Sequence, residues 1–151
     1  MYTILLPTDG SKPALEAESF LSRVYDASED KVIVLSVVDM PVLMSGYVEA
    51  GDASGAMTAA ELENDFKQLT QDRADDAAER LRTEGFDVET ITAQGDVGTE
   101  ICDRAEERDV DCIIMGRRGR GQVSEVLLGS VSHYVSHHAP CPVTLVTHEE
   151  E

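Results

Sequence analysis

Residues 110–147 read VDCIIMGRRGRGQVSEVLLGSVSHYVSHHAPCPVTLVT, and the order of elements in this stretch decides the fold. Val110 to Met115 is a short run, apolar apart from Asp111 and β-branched in part, of the kind that forms a buried strand. A glycine-rich loop carrying arginines follows, then a helix through Ser130 to His138. A second apolar run, Pro142 to Thr147, predicts the last strand. Strand, loop, helix and strand within about 40 residues make a βαβ unit, and its two strands must be parallel.

The same alternation runs back to the N-terminus. Tyr2 to Leu6 predicts a buried strand ending at the PTDG turn. Ser11 then caps a helix with Pro13 in its first turn and Ala14, Ala17, Leu21 and Val24 at helical spacing, with Phe20 beside them. Lys31 to Val38, KVIVLSVV, predicts the second strand. From Asp39 to Met57 the chain is rich in Gly, Ser, Met and Ala, too long and aperiodic for an ordinary connection, and it reads as a lid or a mobile loop. Thr58 and Glu61 have the spacing of a capping box, and Leu62, Phe66, Leu69, Ala77 and Leu81 mark one face of a long helix ending before Gly85. Phe86 to Ala93 predicts a third strand, and Asp96 caps a helix carrying Val97, Ile101 and Ala105. The expected fold is α/β: a single open five-stranded parallel sheet with helices on both faces, joined by right-handed crossovers. The domain is expected to span residues 1–148, with an acidic tail at 149–151. Ligands of such sheets bind beyond the carboxyl ends of the strands, which selects the loops after Leu6, Val38 and Met115.

Composition narrows the function. A chain of 151 residues suits one domain, and no apolar run approaches the roughly 20 residues of a membrane-spanning helix. The start MYTILLPTDG has no basic leader and no small-residue cleavage site, so the expected location is cytoplasmic. Cys102, Cys112 and Cys141 show no CxxC spacing and read as apolar side chains rather than a disulfide framework or a zinc site. The net charge of −18 argues against nucleic acid as a partner. With only three lysines beside thirty acids, it predicts a protein adapted to a salt-rich cytoplasm, the alternative being a merely acidic mesophilic one. Stability is therefore expected to rise from low salt to molar KCl, where charges are screened within about 3 Å. Thermal melts across that range check this, and a melting temperature that is flat or falls with salt rejects the salt-adapted reading.

The charge is unevenly placed. Residues 1–115 carry 26 acids and nine bases, whereas residues 116–148 carry three arginines and one glutamate. The basic segment coincides with the glycines Gly116, Gly119, Gly121 and Gly129. Glycine lets backbone amides approach a phosphate, and a helix N-terminus adds unpaired amides and the positive end of its dipole. The loop is neither a Walker motif nor GxGxxG opening a helix directly after a strand. Taken alone, such a loop is more often a connection with solvated arginines than a phosphate cradle, and its place at a strand's carboxyl end shifts the balance toward the cradle.

Gly116, two residues, Gly119, nine residues, then Gly129-Ser130 resembles the binding motif of the universal stress protein A family in its nucleotide-binding branch. The surroundings IIMGRRGRG, LLGSVSHYV and APCPVTLV, the PTDGS after the first strand and the VVDM closing the second are similar too, so the resemblance covers nearly the whole chain. It implies a Rossmann-like, adenine nucleotide alpha hydrolase-like fold. It also implies that Pro7, Thr8 and Asp9 border the adenine and ribose, and that Val37 meets the adenine edge through its backbone. By the same resemblance Gly116, Arg117, Arg118, Gly119, Arg120, Gly121 and Gln122 wrap the ribose and phosphates. Gly129, Ser130, Val131 and Ser132 would hold phosphate at the helix start. Arg118 stands where some relatives have histidine. The implied ligand is ATP, or AMP or ADP, with Mg2+ or Mn2+ on the phosphates, and the implied assembly is a homodimer in which PVTLVT pairs with its counterpart.

Single residues have competing readings. Asp9 either orients a ribose hydroxyl or joins a phosphate-bound metal, or else is a turn residue before Gly10. Asp39 reads as a turn residue, and Ser130 as a phosphate donor, a helix cap or both. His133 and His137 have the four-residue spacing of a metal pair, but no carboxylate or cysteine is placed to complete a site, and a charge role at the helix end fits better. Met40, Met44 and Met57 read as loop packing. No base stands beside a candidate nucleophile, so the expected function is a stress or signalling module acting by nucleotide occupancy, with at most slow ATP hydrolysis. An adenylyl-transfer or phosphate-hydrolysing enzyme is the alternative. A phospho-accepting receiver lacks its lysine here, and a relative that binds no nucleotide would lack the glycine pattern.

Overall fold

The computed structural model describes residues 1–39, 58–118 and 128–147. In chain order the elements are β1 (Thr3–Pro7), α1 (Lys12–Val24), β2 (Lys31–Asp39), α2 (Ala59–Thr83), β3 (Asp87–Gly95), α3 (Val97–Glu107), β4 (Cys112–Gly116), α4 (Ser130–His138) and β5 (Val143–Val146). The strands form one five-stranded sheet in the order β3-β2-β1-β4-β5, and every pairing is parallel. The readings of 39–57 as a lid and of Met40, Met44 and Met57 as packing concern residues 40–57, which lie outside the described residues.

Alternation along the strands divides the core in two. Ile4, Leu6, Val32 and Val34 face Ala17 and Leu21 of α1 and Ala74, Ala77, Ala78 and Leu81 of α2. Leu5, Ile33, Leu35 and Ile113 face the other way, against Ile101 and Ala105 of α3 and Val135 of α4. Strands apolar on both sides need cover on both sides, which is why the runs read from sequence are continuous rather than alternating.

The helix starts follow their capping residues. Ser11 accepts from Ala14 N, and Asp96 accepts from Thr99 N at 3.0 Å. The capping box closes in both directions: Thr58 N donates to Glu61 Oε2 at 2.7 Å and Glu61 N to Thr58 Oγ1 at 3.2 Å. On the shared face of α1 and α2, buried Glu18 receives a two-pronged bond from Arg80, at 2.6 Å and 2.9 Å. At the β3 edge, Glu89 is held by Lys31 at 3.0 Å and Arg108 at 2.7 Å, and the Lys31 bond in particular draws its carboxyl below the usual range.

Several boundaries and burials differ from the sequence reading. β3 begins at Asp87, because Phe86 is used to close α2, its N–H reaching Leu81 O. β4 begins at Cys112, because Asp111 turns to accept from Thr3 N at 2.7 Å. Val24 is 58% exposed rather than part of the apolar face of α1; Tyr25, packed on the core with its hydroxyl against Cys112 Sγ, covers that end instead. Leu69 is exposed as well, for a reason that lies in the site. Cys102 and Cys112 are buried, Cys141 is half-buried, and all three are free thiols.

Candidate functional site

From β1 the chain steps to β2 on one side, and only later returns to place β4 on the other. The loops leaving β1 and β4 therefore part company, and parallel sheets open a crevice where this happens. A cleft of about 390 Å³ lies there. The ends of β1, β2 and β4 form its floor, α2 stands over it from one face of the sheet, and the starts of α3 and α4 stand over it from the other.

The β1 loop is held tightly. Thr8 N donates to Leu35 O at 2.8 Å, Gly10 N to Thr8 Oγ1 at 3.2 Å, and Ser11 N to Asp9 Oδ1 at 2.9 Å. Gly10 has a φ of 72°, the left-handed conformation that this turn requires and that glycine adopts without strain. Asp9 is thus a turn residue in fact, and it also lines the cleft together with Pro7 and Thr8.

Val37 lies just past the point where β1 stops pairing. The β1–β2 register ends at Pro7 opposite Leu35, and the Leu35 carbonyl faces β1. Two residues further on, the Val37 peptide groups face the same side, beyond the end of that ladder and at the cleft. Asp39, read from sequence as a turn residue, is instead the last residue of β2, opposite Gly95, and lines the cleft.

The start of α4 is distinctive. Its N-cap is Gly129, and among the described residues no side chain caps it. Ser130 is the first helical residue, so the reading of Ser130 as the cap is corrected. The first-turn amides of Ser130, Val131 and Ser132 have no intrahelical acceptor, and all three residues line the cleft with Gly129. The Ser132 hydroxyl is buried and donates to Gly116 O at 3.0 Å, so its proton serves to tie helix to strand. Gly116 and Arg118 line the cleft. Arg117 uses both of its backbone groups to hold the fold: its N–H donates to Val146 O at 2.9 Å and its carbonyl accepts from Gly129 N at 3.1 Å, closing the two ends of the loop on each other. Gly119, Arg120, Gly121 and Gln122 lie outside the described residues.

The wall supplied by α2 escaped the sequence reading. Phe66, Leu69, Thr70 and Arg73 line the cleft, as do Val97 and Ile101 at the start of α3. A usable signal existed: α2 has 25 residues, about 37 Å of helix at 1.5 Å per residue, more than the nine-residue strands it covers. Among the described residues no group of three His, Cys, Asp or Glu side chains is placed to hold a metal. His133 and His137 lie ring against ring at 4.4 Å, and His137 Nδ1 is 2.9 Å from His133 O.

Among the described residues, no helix is long and apolar enough to cross a membrane. The universal stress protein YxiE of Bacillus subtilis is 38% identical over 86 residues, 57% of this chain and 58% of that one. The universal stress protein MJ0577 of Methanocaldococcus jannaschii is 32% identical over 95% of this chain and 93% of its own. The solved structure of MJ0577 matches with a TM-score of 0.84 and 31% identity, covering 99% of this chain and 98% of that one. A universal stress protein from Archaeoglobus fulgidus, solved in complex with dAMP, matches with a TM-score of 0.66 over 96% of each chain, and at 19% identity the likeness is one of fold. The model of the universal stress protein family matches residues 1–147, and this chain, with its five-stranded parallel sheet, belongs to that family.

Proposed function

We propose that this protein is a cytoplasmic adenine-nucleotide-binding module that holds ATP, or its mono- or diphosphate, in the cleft and acts through occupancy rather than rapid turnover. The observation that carries the reading is the start of α4, uncapped among the described residues, whose first-turn amides share the cleft with Gly116 and Arg118 at the switch point of the sheet. Unpaired amides, a positive dipole end and an arginine make a site for phosphate in a protein that is otherwise strongly acidic. The Val37 peptide offers an N–H and a carbonyl, the pair that the edge of adenine complements. β2 and β4 flank β1, so these two ends of the cleft lie about two strand spacings, roughly 10 Å, apart. That span suits a base at one end and phosphates at the other, with Asp9 of the loop after β1 at the ribose between them.

A divalent cation fits this arrangement only in one way. Mg2+ is commonly held by phosphates with one or two carboxylates, and Asp9 in the cleft meets that need, as Mn2+ would also allow. When bound, the ion would neutralise charge on the phosphates. The dAMP-bound Archaeoglobus protein supports the adenine reading at the level of the fold. In the same proposal β5 pairs with its counterpart in a homodimer, since it is an edge strand of the sheet and its Val143 and Leu145 are only half-buried.

One preparation tests both parts. The chain has four tyrosines and no tryptophan, so co-purified adenine nucleotide is expected to raise the 260 to 280 nm absorbance ratio conspicuously, and light scattering is expected to give the mass of a dimer. Calorimetric titration with Mg-ATP then supplies the affinity. A nucleotide-free preparation that takes up no adenine nucleotide on titration rejects the reading, and fast multiple-turnover phosphate release would make the protein an enzyme instead.

A further inference from the structure

The first half of α2 is folded as if something were meant to lie against it. The buried residues of this helix are Thr70, Ala74, Ala77, Ala78 and Leu81, and from Ala59 to Leu69 none is buried. This half overhangs the carboxyl edge of the sheet, yet it is not polar all round. Phe66, Leu69, Thr70 and Arg73 follow the i, i+3, i+4, i+7 spacing of a single helical stripe, and that stripe faces the cleft. Leu69 is 44% exposed there, one of the few large apolar side chains left open to solvent among the described residues.

The position of the stripe selects its ligand group. α2 packs on β2 and β3, whereas the open amides of α4 and Arg118 belong to the β4 side. The stripe therefore meets the base end of the cleft and not the phosphate end. Opposite it, from the other face of the sheet, stand Val97 and Ile101 of α3. Two apolar walls with a backbone edge between them suit a flat heteroaromatic ring, which needs cover on both faces and hydrogen bonds only in its plane. The Thr70 hydroxyl takes no part, because it donates to Phe66 O at 2.7 Å within the helix.

We propose that the overhanging half of α2 is the second face of the nucleobase site, with Phe66 and Leu69 packing on the purine ring against Val97 and Ile101. This rests on the nucleotide reading above and adds to it a base-selective wall. The backbone at Val37 reads the edge of the base, and α2 reads its size and aromatic face.

The absence of tryptophan gives a clean test. In the Phe66→Trp variant the single indole is expected to change its emission when ATP is added, saturating at the calorimetric Kd, and to stay unchanged with inorganic tripolyphosphate. Phe66→Ala is expected to weaken ATP binding about tenfold, in line with the loss of one aromatic contact. Circular dichroism of the same samples confirms that the helix is kept, as the half-buried position of Phe66 allows. If calorimetry registers ATP binding to the Phe66→Trp variant while its indole emission does not move, or if Phe66→Ala binds ATP as tightly as the parent, the inference is wrong and the nucleotide site stands. If the parent itself binds no nucleotide, both fall.

Discussion

Gly129→Val is expected to abolish Mg-ATP binding while leaving a folded domain. Gly129 is buried, lines the cleft and is the N-cap of a helix start that, among the described residues, no side chain caps. Its φ of −61° and ψ of 153° are open to any residue, so valine meets no backbone penalty at this position, and the whole effect comes from the space its side chain takes. Gly129 directly precedes the first-turn amides of Ser130 and Val131, where in the proposed site a phosphate sits within hydrogen-bond distance. Valine is a poorer N-cap than glycine, which costs about 1 kcal/mol, a small part of the stability of a domain. Binding is therefore lost and folding kept. Adding Gly119→Val, the next glycine of the motif, is expected to leave no residual affinity. Calorimetric titration with circular dichroism of the same samples separates the two effects, and a folded Gly129→Val protein that binds ATP like the parent removes α4 from the site.

Gly116→Ala is expected to act the other way, on stability first. Gly116 closes β4, and a Cβ placed there would stand 2.7 Å from Pro13 O and 2.8 Å from Pro13 Cβ. The obstacle is the backbone of the first turn of α1, which cannot swing aside as a side chain can. α1 or the end of β4 must shift, and overpacking of this kind costs about 3 kcal/mol. For a domain of this size that lowers the melting temperature by roughly 6–12 °C. The shift also reaches the cleft, because Ser11 and Ala14 flank Pro13 on one side and Ser132 Oγ bonds to Gly116 O on the other. ATP affinity is expected to fall with stability. A Gly116→Ala protein that melts within about 2 °C of the parent shows that the close approach of β4 to α1 carries no energetic weight.

These two glycines show different kinds of legibility. Their spacing is readable, and the structure places both glycines at the cleft beyond the end of β4. Their reasons are not. Gly116 is small because another backbone passes close to it, and Gly129, in the proposed site, because a phosphate would, while neither uses a positive φ. Nothing in a string of letters distinguishes a glycine that yields room to the fold from one that yields room to a ligand. Ser132 is a similar case: the resemblance implies that it holds phosphate, and its hydroxyl is spent on holding α4 to β4.

Periodicity, caps and motif spacing are local, so the alternation of strands and helices, the capping box at Thr58 and Glu61, the parallel sheet and the loops that border the cleft were all determined along the chain itself. The strand order was settled only in three dimensions, where β4 takes the free side of β1. So was the α2 wall: Phe66 and Leu69 have the spacing of core residues, and it is the overhang of a helix longer than its strands that turns them toward a cleft instead of a core. The physical reason is common to both. Amphipathic spacing states that a face will be covered, but what covers it, sheet or ligand, depends on where neighbouring elements end, and that is a property of the packed molecule alone.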